Sequence, residues 1–328
     1  MSPASAGFFF WINDMKHIPH LKDLSSAEIK TILEKAHAIK KSPGDYRDSL
    51  AFHSLAMIFQ KTSTRTRVSF EVAMTELGGH ALYVDWDTSN FVLSGIDYET
   101  EYLSRNVSCI MARLLHHSDL ETIISASQAP VINGCCEKFH PCQALTDVMT
   151  IQEHTEKPLD EITLMYVGVQ NNVSNSLSII SDKLGIQLIL ATPKQDDNGE
   201  SLDADVQSLI ASSPCITWVE NPKDAIEKAD FVYTDTWIDM QYFNNPANQE
   251  ENADRLKKMM PYQVNKSLVG NRPLNIMHDM PIHDDFEIAR DLVRDERSII
   301  FQQAANRLHA QKGLLWWLFK ENGLMSGS

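Results

Sequence analysis

The segment Gln60-Lys61-Thr62-Ser63-Thr64-Arg65-Thr66-Arg67 concentrates hydroxyls and cations between an apolar run, 55–59, and a helical stretch starting near Arg67. At a helix start the first backbone N–H groups lack intrahelical partners and the macrodipole is positive. Adding the Ser63, Thr64 and Thr66 hydroxyls and the Arg65 fork makes a phosphate cradle that needs no glycine-rich loop. The same residues also fit a solvated helix cap with surface arginines, because Ser and Thr favour helix starts for capping alone. A second strand-to-helix turn holds His140-Pro141-Cys142-Gln143, after the apolar run 131–133. A histidine there that donates to a carbonyl oxygen polarises it and stabilises the oxyanion formed when the carbon is attacked. Gln143, three residues on, lies on the same helical face and reaches the same ligand. Arg113 follows the run 109–112, and Arg307 stands near the start of the last helical stretch. Taken singly, a histidine at a helix start is more often a plain cap or packed side chain, and a lone Arg113 or Arg307 more often a surface arginine.

For such residues to converge, several strands must end at one edge. Apolar runs at 55–59, 81–84, 109–112 and 131–133 alternate with amphipathic segments, the pattern of parallel strands joined by crossover helices. Leu24-Ser25-Ser26-Ala27-Glu28-Ile29 reads as a helix start, with Ser25 capping, Glu28 closing the capping box and Leu24 stapled to Ile29. Gly78-Gly79 stops the helix that begins near Arg67. A polar stretch at 153–161 marks a boundary. Beyond it, strands at 162–169, 186–191, 216–220, 231–234 and 274–278 and helices at 173–184 and 204–211 repeat the alternation. A helix-rich tail ends in the apolar residues 314–319. The expected fold class is α/β, with two domains in tandem, each a parallel sheet flanked by helices. Ligands of such sheets bind beyond the carboxyl ends of strands.

A length of 328 residues accommodates two domains of ordinary size. The net charge of −15 argues against nucleic acid, whose backbone needs a basic surface, but not against a small anion held by a few local cations. Five cysteines, without C-x-x-C spacing, point to a reducing compartment rather than a disulfide framework or zinc site. No apolar run approaches the ~18 residues of a membrane span. Phe8-Phe9-Phe10-Trp11-Ile12 lacks the flanks of a signal peptide and is expected as an arm on the core, so a cytoplasmic protein without a membrane partner is expected. No P-loop or dinucleotide fingerprint is present, which disfavours ATP- or NAD-driven chemistry.

Taken in order, Ser63-Thr64-Arg65-Thr66-Arg67, Arg113, His140-Pro141-Cys142-Gln143, Val167-Gly168 with Asn171-Asn172, Thr234-Asp235-Thr236-Trp237, His278 with Pro281, and Asn306-Arg307 resemble the aspartate/ornithine carbamoyltransferase family, and its ornithine branch most closely. The resemblance runs from about residue 15 to about residue 320. It implies transfer of the carbamoyl group of carbamoyl phosphate to the side-chain amine of ornithine or a similar small amine, giving citrulline or a ureido product and phosphate. Residues 1–153, with a C-terminal helix at 304–320 packed back on them, would bind carbamoyl phosphate, and 154–303 the acceptor. Ser63, Thr64, Arg65 and Thr66 would hold the phosphate. Arg113, His140 and Gln143 would contact the carbonyl oxygen and bridging region, and Arg307 would reach in from the last helix. Backbone carbonyls at Asp279 and Met280 would take the carbamoyl NH2. The resemblance further implies a homotrimer or multiple of trimers, small-molecule substrates only, and neither metal nor organic cofactor.

On the acceptor side Asn172 and Asp235 match the family's Asn and Asp, which grip the amino-acid head. The family's Ser-Met-Gly loop reads Asp239-Met240-Gln241 here, its His-Cys-Leu-Pro reads His278-Asp279-Met280-Pro281, and its Gly-Asp-Gly reads Gly168-Val169-Gln170. Asp279 then needs a cation, a proton or an outward orientation, and an acceptor ammonium would supply the cation and yield a proton to it. Asp239 would likewise favour a second amine over a carboxylate. Putrescine or another diamine therefore stands beside ornithine as acceptor, as does a catalytically silent carbamoyl-phosphate-binding homologue.

Overall fold

Ser25 starts the first helix as the sequence predicts: its N–H donates to Glu28 Oε2 at 2.7 Å and its Oγ accepts the Glu28 N–H at 3.2 Å. In this computed structural model the described residues are 15–194, 203–238, 240–243 and 245–325. The arm around Phe9 and the substituted Asp239 lie outside them. After α1 (Ser26–Lys41) come β1 (Ser54–Phe59), α2 (Thr64–Glu76), β2 (His80–Asp85), α3 (Ile96–Ser104), β3 (Cys109–Arg113), α4 (His117–Ala126), β4 (Val131–Cys135) and α5 (Pro141–Glu153). Next are β5 (Thr163–Val167), α6 (Asn172–Leu184), β6 (Gln187–Ala191), α7 (Ala204–Ser212), β7 (Ile216–Val219) and β8 (Phe231–Thr234). Last come α8 (Met240–Phe243), α9 (Gln249–Met259), α10 (Lys266–Val269), β9 (Asn275–His278) and α11 (Ile300–Glu321).

The strands form two all-parallel sheets, ordered β2-β1-β3-β4 and β7-β6-β5-β8-β9. Helices cover both faces of such sheets, so β3, β4 and β8 are buried throughout and are mainly apolar rather than alternating, with Arg113, Asn133 and Thr234 as their polar positions. Strand order reverses between β1 and β3 in the first sheet and between β5 and β8 in the second. These are the switch points where open α/β sheets leave a crevice at the strands' carboxyl ends.

Contacts divide the chain into two units. Among the described residues, the first comprises 15–20, 30–136 and 308–325, and the second comprises 21–29 and those between 137 and 307. The C-terminal part of α11 thus packs on the first unit, where a Cβ on Gly313 would sit 2.6 Å from the Ile32 carbonyl oxygen and 2.7 Å from the Ala36 nitrogen of α1. Only glycine permits that approach. Helix α5 belongs by its contacts to the second unit, although the polar stretch follows it. Composition marks the solvent-exposed connection, whereas contacts follow α5, whose residues from Pro141 to Ile151 are all buried.

Candidate active site

In the first unit, the predicted cradle sits at the β1/β3 switch point. Helix α2 starts three residues earlier than the sequence predicts, and Ser63 is its cap. Ser63 Oγ accepts the Thr66 N–H at 3.2 Å and donates to Thr66 Oγ1 at 3.0 Å. Thr66 is fully buried, while Thr64 is exposed and Arg65 half-buried on the first turn. Arg113, the last residue of β3 rather than the one after it, is 8% exposed, and its Nη1 donates to Thr66 Oγ1 at 3.4 Å. Its buried Nε meets no acceptor among the described residues. A buried guanidinium nitrogen beside a hydroxyl and a helix N-terminus suits an anion. Arg67 turns away, with Nε 3.3 Å from Glu71 Oε2 and its guanidinium 4.0 Å from the Tyr83 ring centroid.

In the second unit, His140 caps α5 and Pro141 occupies the first turn, where its missing N–H costs nothing. The His140 N–H donates to Ser176 Oγ at 2.8 Å, tying the cap to α6. Gln143, on the first turn of α5, is buried; its Oε1 accepts Arg307 Nη1 from α11 at 2.5 Å. Gln143 Nε2 donates to Asp147 Oδ1 at 2.9 Å, and Gln303 Nε2 donates to the same oxygen at 2.7 Å. Burial pushes the Asp147 carboxyl up to about 7, against the hydrogen bonds from Gln303 and Gln143, the nearby Tyr233 hydroxyl and the attraction of Arg307. Burial also raises the Tyr233 phenol, and the nearby charges of Asp147, Asp279 and Asp235 add to that shift.

Asp235 follows β8 at the second switch point and is 5% exposed. Its Oδ2 accepts Asn171 Nδ2 at 2.6 Å, and its Oδ1 accepts the Thr236 N–H at 2.6 Å. Asn171 itself caps α6, with Oδ1 accepting the Val173 and Ser174 N–H groups at 3.0 Å each. Asn172, the expected acceptor contact, is the first residue of that helix and half-buried. Gly168, after β5, has φ +146°, a conformation side chains avoid. After β9, His278 Nδ1 accepts the Met280 N–H at 2.8 Å, which places the ring proton on Nε2, 3.1 Å from Glu287 Oε1. That bond holds Met280 at φ +61°, a left-handed conformation costing on the order of 1 kcal/mol or more.

Asp279 is 9% exposed, so of the three options left by the sequence an outward orientation is not taken. Asp235, His278 and Asp279 bring ligand atoms within 4.8 Å of one another. Both His278 nitrogens are engaged by Met280 and Glu287, so the imidazole would have to give up a bond to ligate a cation. Two carboxylates at that separation repel by roughly 3–4 kcal/mol at an effective dielectric of about 20, which an ammonium between them would relieve.

Within the first unit, then, Ser63, Thr66 and Arg113 are directly linked. Within the second, Gln143 and Arg307 are linked, and Asp235 and Asp279 lie together. Asp239 and the side chain of Met240 lie outside the described residues. Asp147, Gln303, Tyr233 and Glu287 were not singled out from the sequence, and Asn171 entered only beside Asn172, with no role of its own. Asp147 four residues after Gln143 and Gln303 four before Arg307 is the helical spacing that could have found two of them. His117 meets Cys136 Sγ at 3.4 Å and Glu121 at 3.8 Å, a packing role in the first unit.

Residues 16–153 match the family model described as the carbamoyl-P binding domain of aspartate/ornithine carbamoyltransferase, and residues 160–318 the one described as its Asp/Orn binding domain. An ornithine carbamoyltransferase of Archaeoglobus fulgidus is 39% identical over 306 residues, covering 92% of this chain and 96% of the relative. The structure of ornithine carbamoyltransferase from Pyrococcus furiosus is similar with a TM-score of 0.81 at 40% identity, covering 92% of this chain and 96% of that one. The anabolic ornithine carbamoyltransferase of Campylobacter jejuni gives 0.83 at 30% identity, covering 93% and 99%.

Proposed function

The chain belongs to the aspartate/ornithine carbamoyltransferase family, and we propose on that basis that it transfers the carbamoyl group of carbamoyl phosphate to ornithine, giving citrulline and phosphate. One observation carries this reading. The residues matching the carbamoyl-phosphate domain include a capped, cation-flanked helix start at their sheet's switch point, and those matching the acceptor domain include a buried carboxylate at theirs.

The phosphate lies on Ser63, Thr64, Arg65 and Thr66, where hydroxyls, first-turn N–H groups and the guanidinium all donate. Arg113, His140 and Gln143 contact the carbamoyl group, and Arg307 reinforces them through Gln143. The backbone carbonyls of Asp279 and Met280 accept from its NH2. Asn172 and Asp235 hold the acceptor, with Asp239 and Met240 completing that site. The acceptor amine enters as an ammonium, and Asp279 takes its proton. The free amine attacks the carbonyl carbon, the new C–N bond forms, the C–O bond to phosphate breaks, and the departing phosphate takes the remaining surplus proton of the attacking nitrogen. His140 and Arg113 stabilise the intermediate oxyanion. The domain division at 153/154, a homotrimer or multiple of trimers, and a cytoplasmic location in arginine metabolism are parts of the same proposal. Five free thiols agree with a reducing compartment.

The buried Asp235–Asp279 pair favours a second reading, in which a diamine such as putrescine is the acceptor, because a doubly cationic ligand is better matched to two carboxylates. Specificity constants for ornithine, lysine, putrescine and agmatine, read by phosphate release and ureido product, separate the two. Ornithine highest supports the first reading and putrescine highest the second. Phosphate release with no acceptor, or none with any, rejects both.

A further inference from the structure

Asp147 stands outside the roles assigned above. It is wholly buried on α5, and its Oδ1 receives two side-chain amides, from Gln143 at 2.9 Å and Gln303 at 2.7 Å. The far ends of both amides are engaged as well. Gln143 Oε1 accepts from Arg307, and Gln303 Oε1 accepts the His278 backbone N–H at 2.8 Å. A guanidinium and a backbone N–H can only donate, so each demands the amide oxygen and turns the NH2 toward Asp147. Each glutamine therefore has a single satisfied orientation. Without an acceptor at position 147, two buried NH2 groups lose their partner, and rotation or flipping of both amides becomes the way to recover one.

We propose that Asp147 is a positioning residue of the active site, whose Oδ1 sets the amide of Gln143 and, through Gln303, the backbone at His278 before carbamoyl phosphate binds. The inference rests on the carbamoyl-transfer reading. It places the second lone pair of Gln143 Oε1 and the second N–H of its Nε2 at the service of the substrate, and it anchors the strand end that leads into Asp279 and Met280. Orientation, not charge, is what Asp147 supplies. Both amides use one oxygen, so a proton on Oδ2 breaks neither bond. The carboxyl near 7 accordingly keeps its function in either form. The groups around it are Gln143 on its own helix, Tyr233 on β8, and Gln303 and Arg307 on α11.

Asparagine keeps an acceptor oxygen at this place, and leucine has its shape without one. The test compares Asp147→Asn, Asp147→Leu and Gln303→Leu with the parent, by steady-state kinetics in carbamoyl phosphate and ornithine and by thermal melts. The asparagine variant should hold KM for carbamoyl phosphate within about threefold, whereas the leucine variant should lose about 10²-fold in kcat/KM, the scale of a misplaced contact. Gln303→Leu should lose part of that, and the double variant no more than Asp147→Leu alone. A folded Asp147→Leu with parent kinetics overturns the proposal, as does an asparagine variant damaged as badly as leucine. Should Asp147→Leu show no cooperative melt, Gln303→Leu decides, and its unchanged kcat/KM overturns it. A parent that turns over no ornithine defeats the underlying reading instead. Calorimetry with carbamoyl phosphate then still reports on Asp147, through the affinity ratio of the asparagine and leucine variants.

Discussion

On the proposed reading, the cluster in the first unit and the cluster in the second would solve different recognition problems by different means. Ser63, Thr64, Arg65 and Thr66 are consecutive, and among them only Thr66 is fully buried. Gln143, Asp147, Gln303 and Arg307 lie on two helices, with partners separated by 156 and 164 residues, and all four are buried. A phosphate is symmetric and strongly charged, so a helix start with hydroxyls and a fork suffices, whatever rotation the anion adopts. A carbamoyl group presents an oxygen and an NH2 that differ only in which end donates. Telling them apart takes amides whose own ends cannot exchange, and that takes buried acceptors to hold them. The first cluster should therefore act on affinity alone, and the second on turnover as well as affinity.

Arg65→Ala is the largest single test of that division. Loss of a charge-assisted phosphate contact costs about 2–5 kcal/mol, so carbamoyl-phosphate affinity should fall by about 10²-fold or more with the thermal melt intact. Near-parent affinity by calorimetry would remove the cradle from the phosphate. His140→Ala should do the opposite: a drop of about 10²–10³-fold in kcat with little change in binding, as when one oxyanion donor is removed. If its affinity falls and its turnover number holds, His140 only positions the substrate, and the contrast between the clusters dissolves.

The same difference explains what could be read in advance. Ser63 to Thr66 declare themselves because their neighbours in space are their neighbours in sequence. Ser25 and Glu28 do so for the same reason. The alternation of apolar runs revealed both parallel sheets, and with them the strand ends that carry Arg113 and Asp235. Asp147 and Gln303 look like any polar positions on a helix, since what gives them meaning is a partner more than 150 residues away. Tandem Asn171-Asn172 is a similar case. The family pattern selects Asn172, but cap geometry gives Asn171 the bond to Asp235, a distinction of one residue that only the helix start decides.

A smaller effect follows from the titration of Asp147. A folded-state carboxyl at about 7 keeps its proton through the interval from about pH 4, where the unfolded chain has already released it. Folding then takes up a proton, and stability falls as pH rises through that interval, by at most 1.36 kcal/mol per unit. Denaturant unfolding of the parent and of Asp147→Asn at pH 5 and pH 6.5 should show their difference moving by about 2 kcal/mol toward the asparagine variant. A difference that does not move with pH means that the carboxyl is ionised throughout, and the second cluster then stores no proton.

The smallest effect separates a cap that serves folding from a cap that also serves a ligand. Ser25 and Ser63 each accept an N–H three residues on, both at 3.2 Å, from Glu28 and Thr66 respectively. Replacing either by alanine should cost about 1 kcal/mol of stability, since each leaves a first-turn donor to water. Ser25 closes its own box with Glu28, so Ser25→Ala should leave KM for carbamoyl phosphate unchanged. Ser63 also fixes Thr66 Oγ1, to which Arg113 donates, so Ser63→Ala should raise that KM by several-fold beyond its stability cost. Melting temperatures and KM measured side by side decide it. Equal stability losses with equal, unchanged KM values would reduce Ser63 to an ordinary cap, and the anion site would then rest on Arg65, Arg113 and the backbone alone.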